Sequence, residues 1–200
     1  TQYLLLHNLN TNKIYSMNKT SFIFLAVMLL TIGTIKAQIT IPAANTVVKN
    51  AVALAAAENK KVLLMFHASW CGWCHKMDSA INDISCKKFF DENFIIAHIT
   101  VMESKGKEKL ENPGGAELLL QYNGKDQGIP YWIILDKEGK LLFDSQKRKT
   151  GDDGKVVGSN IGCPASQEEV DYFITILSKT TSLTAPQLDI IAKRFRLNEN

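Results

Sequence analysis

Hydrophobic and polar positions along the chain follow two different periods, which predict alternating helices and strands from residue 41 onward. Residues 47–58 carry apolar residues at helical spacing, whereas 62–66 is a continuous apolar run typical of a strand buried on both faces, and 94–101 is expected to be another buried strand. Two further apolar runs, 131–135 and 140–143, flank a glycine-containing turn and predict an antiparallel hairpin. The remaining helices are expected over 71–82, 116–122, 166–178 and 186–197.

This order of elements predicts an α/β protein built on one central sheet. Strands that are buried on both faces and separated by helices pair in parallel, with helices packed on both faces of the sheet. The closing hairpin adds an antiparallel edge, so we expect the central sheet to be mixed. Two polar segments, 103–111 and 145–165, are expected to be loops.

The first 37 residues differ from the rest in composition. They contain no Asp or Glu, and Met17-Asn18-Lys19 precedes an apolar run over 22–30. A positive start, a short apolar core and small residues at the end are typical of a secretory signal peptide. We expect export to remove residues 1–37 and leave a domain over 38–200, with Met17 as the start and 1–16 upstream of it. A retained N-terminal anchor is the alternative, although spanning a bilayer takes about 20 apolar residues.

Charge and composition narrow the function once that segment is set aside. The chain has a formal charge of +3, but loss of the segment's three lysines leaves 20 basic and 20 acidic residues. A neutral domain has no overall charge that draws it to nucleic acid or to an anionic membrane, so we expect neither partner and no stable membrane insertion. The whole chain is 46% hydrophobic, which is enough to bury a core without disulfide staples.

Cys71 and Cys74 are three residues apart, at the point where a buried strand meets a helix. Cys71 would lie at the helix N-terminus, where unpaired N–H groups and the helix dipole stabilise a thiolate. Cys74, one turn later and facing inward, could attack a mixed disulfide and release the partner. We therefore expect Cys71 to be the nucleophile and Cys74 the resolving thiol, with no metal or organic cofactor.

The residues around this pair resemble the active site of thioredoxin-like proteins. The resemblance covers 62–76, including Trp70-Cys71-Gly72-Trp73-Cys74, and continues at Gly128-Ile129-Pro130 before the predicted hairpin. In that family this proline is cis, lies beside the active-site sulfurs and presents backbone to the substrate. The resemblance implies a thioredoxin fold and a thiol–disulfide oxidoreductase in which Ile129 and Pro130 dock the substrate. Trp70 and Trp73 are expected to form an apolar rim for it, with Gly72 and His75 as auxiliary residues.

Two positions depart from the family pattern. Thioredoxin has a buried acid six residues before the first cysteine, where this chain has Met65. We therefore expect proton removal from Cys74 to use water or another group such as His98. Trp73 stands where thioredoxin has proline and disulfide isomerases have histidine, so the direction of the reaction, whether reduction, oxidation or isomerisation, stays open.

Other interpretations of the cysteines stay open as well. The pair could be a static disulfide in a non-catalytic binding module of the same fold. Cys71 to His75 also fits the Cys-x-x-Cys-His pattern of c-type haem attachment, and Cys86 could complete a zinc site with these residues. Cys86 and Cys163 are more simply interpreted as half-buried apolar residues.

The sequence therefore predicts an exported protein that works in the periplasm or outside the cell. Its expected partners are the thiols or disulfides of other proteins and a protein that restores its redox state. We expect it to act as a monomer.

Overall fold

The computed structural model describes residues 40–150 and 156–199. The signal segment expected over 1–37 lies outside the described residues. The helices and strands, in chain order, are α1 (Ala44–Glu58), β1 (Lys61–His67), α2 (Gly72–Ile81), α3 (Lys87–Asn93), β2 (Phe94–Thr100), a 3₁₀ turn (Glu108–Leu110), α4 (Gly115–Gln121), β3 (Tyr131–Leu135), β4 (Leu141–Asp144), β5 (Gln146–Thr150), β6 (Val156–Asn160), α5 (Gln167–Thr180), α6 (Ala185–Arg196) and a last 3₁₀ turn (Leu197–Glu199).

A mixed four-stranded sheet in the order β2-β1-β3-β4 forms the centre of the protein. The strands β1 and β2 pair in parallel, whereas β1 with β3 and β3 with β4 pair antiparallel. The predicted fold class, with a closing hairpin at the antiparallel edge, is therefore confirmed. Among the described residues, no helix is long and apolar enough to cross a bilayer.

The side chains of β1 pack into two separate cores, because successive side chains of a strand point to opposite faces of the sheet. Leu63 and Met65 pack with apolar side chains of α2, α3, α5 and α6. Leu64 and Phe66 pack on the other face, with residues of α1 and α4. All four side chains are almost completely buried. The end of β1 is therefore packed on both faces, and the Cys71–Cys74 motif follows a strand that is held in place.

The strand β2 was expected to be buried on both faces, and this was wrong. It lies at the edge of the sheet, and the side chains from Ile95 to His98 are half-buried. A strand this rich in apolar residues can lie at the edge here because α1 and α3 pack on β2, so its apolar residues still have partners. The edge position leaves His98 near solvent.

The expectation of a loop over 145–165 was also wrong, because β5 and β6 form an antiparallel hairpin outside the main sheet. Gln146 pairs with Asn160, and Thr150 pairs with Val156. Hydrophobic periodicity could not reveal this hairpin, since most of its residues are polar and only its base is buried.

The helix α3 was missed for a related reason, since its seven residues are too few to show a period. By contrast, the capping box at Ser166 is present and starts α5 as predicted.

Candidate active site

The Cys71–Cys74 pair lies on the short turn between β1 and α2. Cys71 is the N-cap of α2 and has extended backbone, while Cys74 occupies the first turn of the helix. The two sulfurs are joined in a disulfide, and the Cys74 N–H donates a hydrogen bond to Cys71 Sγ at 3.1 Å. One of the N–H groups that a helix N-terminus leaves unpaired is thus directed at the sulfur of Cys71. Both cysteines are buried, with Cys71 at 3% and Cys74 at 1% exposure.

The segment that ends in Pro130 lies directly against this pair. The Ile129–Pro130 peptide bond is cis, and the carbonyl oxygen of Ile129 lies 3.6 Å from Cys71 Sγ. Ala68 and Ile129 are the apolar side chains packed around the two cysteines. Ile129 also lines a groove of about 260 Å³, which Trp73 and Pro130 line as well. The structure therefore brings together the two sequence motifs, which are more than fifty residues apart.

Trp70 precedes Cys71 and Trp73 precedes Cys74, and both side chains are largely in solvent, at 54% and 48% exposure. The indole N–H of Trp70 donates to the carbonyl oxygen of Met102 at 2.7 Å. The Lys76 ammonium lies 4.7 Å from the ring centroid of Trp73. Each ring thus keeps an apolar face exposed while a polar contact holds it in place.

A carboxylate from the polar 101–112 loop holds the turn that leads into the motif. Glu103 accepts hydrogen bonds from the Ser69 N–H at 2.6 Å and from the Ser69 hydroxyl at 2.8 Å. The Ser69 N–H, and then its hydroxyl, lower the pKa of Glu103 below the ordinary 4.5. The Glu103 N–H in turn donates to the carboxylate of Glu111 at 2.8 Å, which ties the loop to itself.

Three histidines lie beside this turn. His75 Nε2 is 3.0 Å from the carbonyl oxygen of Ser69, which assigns the proton to Nε2 because a carbonyl oxygen only accepts. His98 Nε2 lies 2.9 Å from Asp78 Oδ1, and the rings of His67 and His98 are 4.9 Å apart. Burial, followed by the positive charge of His98, lowers the pKa of His67, whereas the nearby carboxylates of Asp78 and Glu103 oppose this shift.

Met65 replaces the family's buried acid with an apolar side chain inside the core. It is 1% exposed and lies between His98 and Trp132 in the register of the sheet. The nearest titratable neighbour in register, His98, is directed at Asp78. The alternative proton acceptor suggested from the sequence therefore already has an acidic partner on α2.

Cys86 and Cys163 are more deeply buried than expected, at 0% and 5% exposure rather than half-buried. Cys86 belongs to the core on the α2 side of the sheet, and burial raises the pKa of its thiol. Cys163 accepts a hydrogen bond from the Asn198 amide at 3.3 Å, and burial raises its pKa to about 12. Thiols with raised pKa values are poor nucleophiles at neutral pH, which leaves the Cys71–Cys74 pair as the candidates.

The zinc interpretation has no support in the geometry. Within 40–150 and 156–199, no group of three or more His, Cys, Asp or Glu side chains is arranged to hold a metal ion. Cys86, which would have to join the motif, lies in the apolar core.

Two residues at the site gave no usable signal in the sequence. Glu103 is 34 positions from Ser69, and its segment was interpreted only as an exposed loop. Asn160 lines the groove beside Trp73, although its segment was also expected to be a loop. Both contacts depend on how distant segments meet, which periodicity and motif spacing do not report.

Comparison with known proteins gave one family and several solved structures, while a search of curated proteins found no match. A disulphide isomerase from Xylella fastidiosa Temecula1 is 26% identical, with a TM-score of 0.42 over 50% of this chain and 72% of that chain. The C-terminal domain of Neisseria meningitidis DsbD in the oxidised form is 19% identical, with a TM-score of 0.43 over 70% of this chain and 99% of that chain. The thioredoxin domain of a thiol-disulfide oxidoreductase from Bacteroides vulgatus is 22% identical, with a TM-score of 0.33 over 48% of this chain and 74% of that chain.

All three TM-scores are below 0.5, so the family assignment depends on the domain match and on the arrangement described above. Residues 48–146 match the thioredoxin-like domain family. This range contains the disulfide at the N-terminus of α2, the cis-proline beside it and the mixed sheet that carries both. The chain belongs to the thioredoxin-like superfamily.

Proposed function

We propose that this protein is a thiol–disulfide oxidoreductase that acts on other proteins through Cys71 and Cys74. The observation that carries the proposal is the position of Cys71 Sγ. It receives the Cys74 N–H at 3.1 Å and lies 3.6 Å from the carbonyl oxygen of Ile129, a residue that lines the groove between Trp73 and Pro130. A sulfur at a helix N-terminus is stabilised as a thiolate, and a groove beside it gives a polypeptide access.

In the reducing direction, the Cys71 thiolate attacks one sulfur of the substrate disulfide. The substrate S–S bond breaks, its other sulfur leaves as a thiolate that takes up a proton, and a mixed disulfide forms. Cys74, deprotonated by water or a neighbouring base, then attacks Cys71 Sγ and releases the second substrate thiolate. The protein ends with the Cys71–Cys74 disulfide, and an external dithiol restores its reduced form. The oxidising direction is the reverse, and the reduction potential of the pair decides between them.

We further propose that the protein is exported and works in the periplasm or outside the cell. The proposal is supported by the apolar run over 22–30 behind a lysine, and by the neutral charge balance of the remaining chain. An intact-mass measurement on protein from the exported fraction should give a mature N-terminus near Gln38. A full-length cytosolic species as the main product would contradict export.

The test of function is insulin reduction with dithiothreitol, followed by trapping of partners. Wild type should turn over, and Cys71→Ser should be inactive because the nucleophile is gone. Cys74→Ser should keep Cys71 covalently joined to its partner, since no resolving thiol remains. Cys86→Ser is the matched control, because its thiol lies in the core and its loss should change neither readout.

The rival interpretations give different results in the same experiment. A static disulfide would show no turnover in wild type and no trapped partner in either variant. A c-type haem protein would show haem absorbance that is lost in both Cys71→Ser and Cys74→Ser. Equal trapping by the two variants would overturn the assignment of nucleophile and resolving thiol.

A further inference from the structure

The β5–β6 hairpin contacts the segment beside the cysteines through one side chain, Asn160. Its amide nitrogen Nδ2 lies 3.1, 3.2 and 3.0 Å from the carbonyl oxygens of Gln127, Gly128 and Pro130. Its amide oxygen Oδ1 accepts a hydrogen bond from the Gly162 N–H at 3.0 Å. These four partners fix the orientation of the amide, since carbonyl oxygens only accept and an N–H only donates.

This contact lies outside the part of the chain that matches the family. The match ends at residue 146, whereas Asn160 is the last residue of β6. Asn160 also lines the groove that runs from Trp73 along Ile129 and Pro130. The last residue of the hairpin thus contacts the cis-proline segment from outside the matched range and forms part of the groove wall.

We propose that Asn160 is a positioning residue for substrate docking. It holds the main chain of 127–130 in place, so that a substrate polypeptide meets a fixed edge beside Cys71. This inference rests on the proposed function, because the docked molecule is the protein substrate of that function. Three carbonyl oxygens converge on the Asn160 amide nitrogen. If the amide is removed, these carbonyl dipoles face one another without a donor, so we expect the main chain of 127–130 to move apart.

Asn160→Asp is the sharpest variant, because it keeps an oxygen for the Gly162 N–H and replaces the donor by a carboxylate that repels the three carbonyls. Insulin reduction with dithiothreitol should show a KM raised about tenfold, the effect of losing roughly one or two net hydrogen bonds. The kcat and the thiol–disulfide equilibrium constant of the pair should stay within about twofold of wild type, because Asn160 acts through the docking segment and not on the sulfurs. The rate with 5,5′-dithiobis(2-nitrobenzoate), a small disulfide that needs no docking edge, should be unchanged.

Asn123→Asp is the matched control. It adds the same charge on an exposed side chain of a nearby turn, whose carbonyl oxygen accepts from Gln146 in the hairpin. It should leave the KM for insulin unchanged. Asn160→Ala removes the hydrogen bonds without adding a charge, so it should raise the same KM by a smaller factor and covers the case in which the aspartate variant fails to fold.

Hydrogen exchange of the main chain over 127–131 supplies a readout that does not depend on activity. Exchange there should be faster in both Asn160 variants than in wild type and unchanged in the helix after Cys71. An unaltered insulin KM with unaltered exchange would overturn the proposal, as would an equal loss of activity on insulin and on the small disulfide. Should wild type itself fail to reduce insulin, the proposed function falls, and exchange over 127–131 alone still decides whether Asn160 holds that segment.

Discussion

The two sides of the Cys71–Cys74 disulfide are held in place by different chemistry. On one side, the 101–112 loop fixes the turn before Cys71 through the exposed carboxylate of Glu103. On the other side, the β5–β6 hairpin fixes the cis-proline segment through the amide of Asn160. Exposed charged contacts are weakened by water and salt, whereas buried polar networks lose much when one member is removed.

The hairpin side rests on such a buried network. The side chain of Asp144 is 4% exposed and pairs with the Arg148 guanidinium, while it also accepts the Gln146 N–H at 3.0 Å. The Gln146 side-chain amide donates to the Asn123 carbonyl oxygen and to the Tyr131 hydroxyl at 2.8 and 3.1 Å. We therefore expect the Pro130 side to be rigid and the Trp70 side to respond to pH and salt. A fixed docking edge would then face an adjustable aromatic rim.

The largest effect is expected from crowding the base of the hairpin with Gly158→Ala. A Cβ at this position would lie 2.2 Å from Gln146 Oε1, and Gln146 is 6% exposed and held by its own hydrogen bonds. Overpacking of this kind costs about 1–3 kcal/mol. Urea unfolding should show a free energy of unfolding lowered by that amount.

Gly72→Ala is the control for the glycine change, since a Cβ there meets open space. Its free energy of unfolding should stay within about 0.5 kcal/mol of wild type. If Gly158→Ala also left the free energy of unfolding unchanged, the network around Gln146 would have to be adjustable, and the hairpin side would not be the more rigid of the two.

The central sheet was predictable because its apolar runs report burial directly. The run over 131–135 became β3 without change, and the residues from Val62 to Phe66 became the buried part of β1. The β5–β6 hairpin was not predictable, because Lys147 and Arg148 are held by charge pairs with Glu168 and Asp144 and not by apolar packing. The local pattern of hydrophobic and polar residues indicates burial against a core, but it does not indicate polar contacts between distant segments.

The candidate site divides along the same line. Cys71, Cys74 and Pro130 belong to two motifs whose meeting follows from the fold order, and the structure places them together. Glu103 and Asn160 act on those motifs from the 101–112 loop and from the β5–β6 hairpin. Their contacts were not accessible from the sequence because each depends on the path of a loop or a polar hairpin.

A smaller effect is expected from Glu103→Gln and Glu103→Ala, read out at Trp70. Loss of the carboxylate frees Ser69 and loosens the loop whose Met102 carbonyl oxygen holds the indole N–H. The protection of the Trp70 indole N–H against hydrogen exchange should fall by about twofold to fivefold in Glu103→Ala, and by less in Glu103→Gln. Two-dimensional NMR of the three tryptophan indoles resolves this signal.

The pH dependence of the same signal sharpens the test. The folded-state pKa of Glu103 is depressed below 4.5, so its contacts are complete above that pH and are lost as pH falls through the lower folded value. Trp70 protection in wild type should therefore be constant from about pH 7 to pH 5 and fall only in stronger acid. Glu108→Gln removes a carboxylate that bonds Gly106 within the same loop, and it should leave Trp70 unchanged. If Glu108→Gln lowered Trp70 protection as much as Glu103→Gln does, negative charge in the loop, and not the contact of Glu103 with Ser69, would hold Trp70 in place.

The smallest effect is expected on the pKa of His67, which responds to the negative charge of Glu103 in the 101–112 loop. Burial and the positive charge of His98 hold this pKa below 6.5, and the negative charges of Asp78 and Glu103 work against that shift. Glu103→Gln should therefore lower the pKa of His67 further, and Asp78→Asn should lower it more. Because the folded protein disfavours the charged ring, stability is lost as pH falls through 6.5 and levels off below the folded pKa. Glu168→Gln, which removes a carboxylate on the hairpin side, should leave the NMR titration of His67 unchanged. If Glu168→Gln shifted the titration as much as Glu103→Gln, the two sides would be electrostatically coupled and could not be treated as separate supports of the cysteine pair.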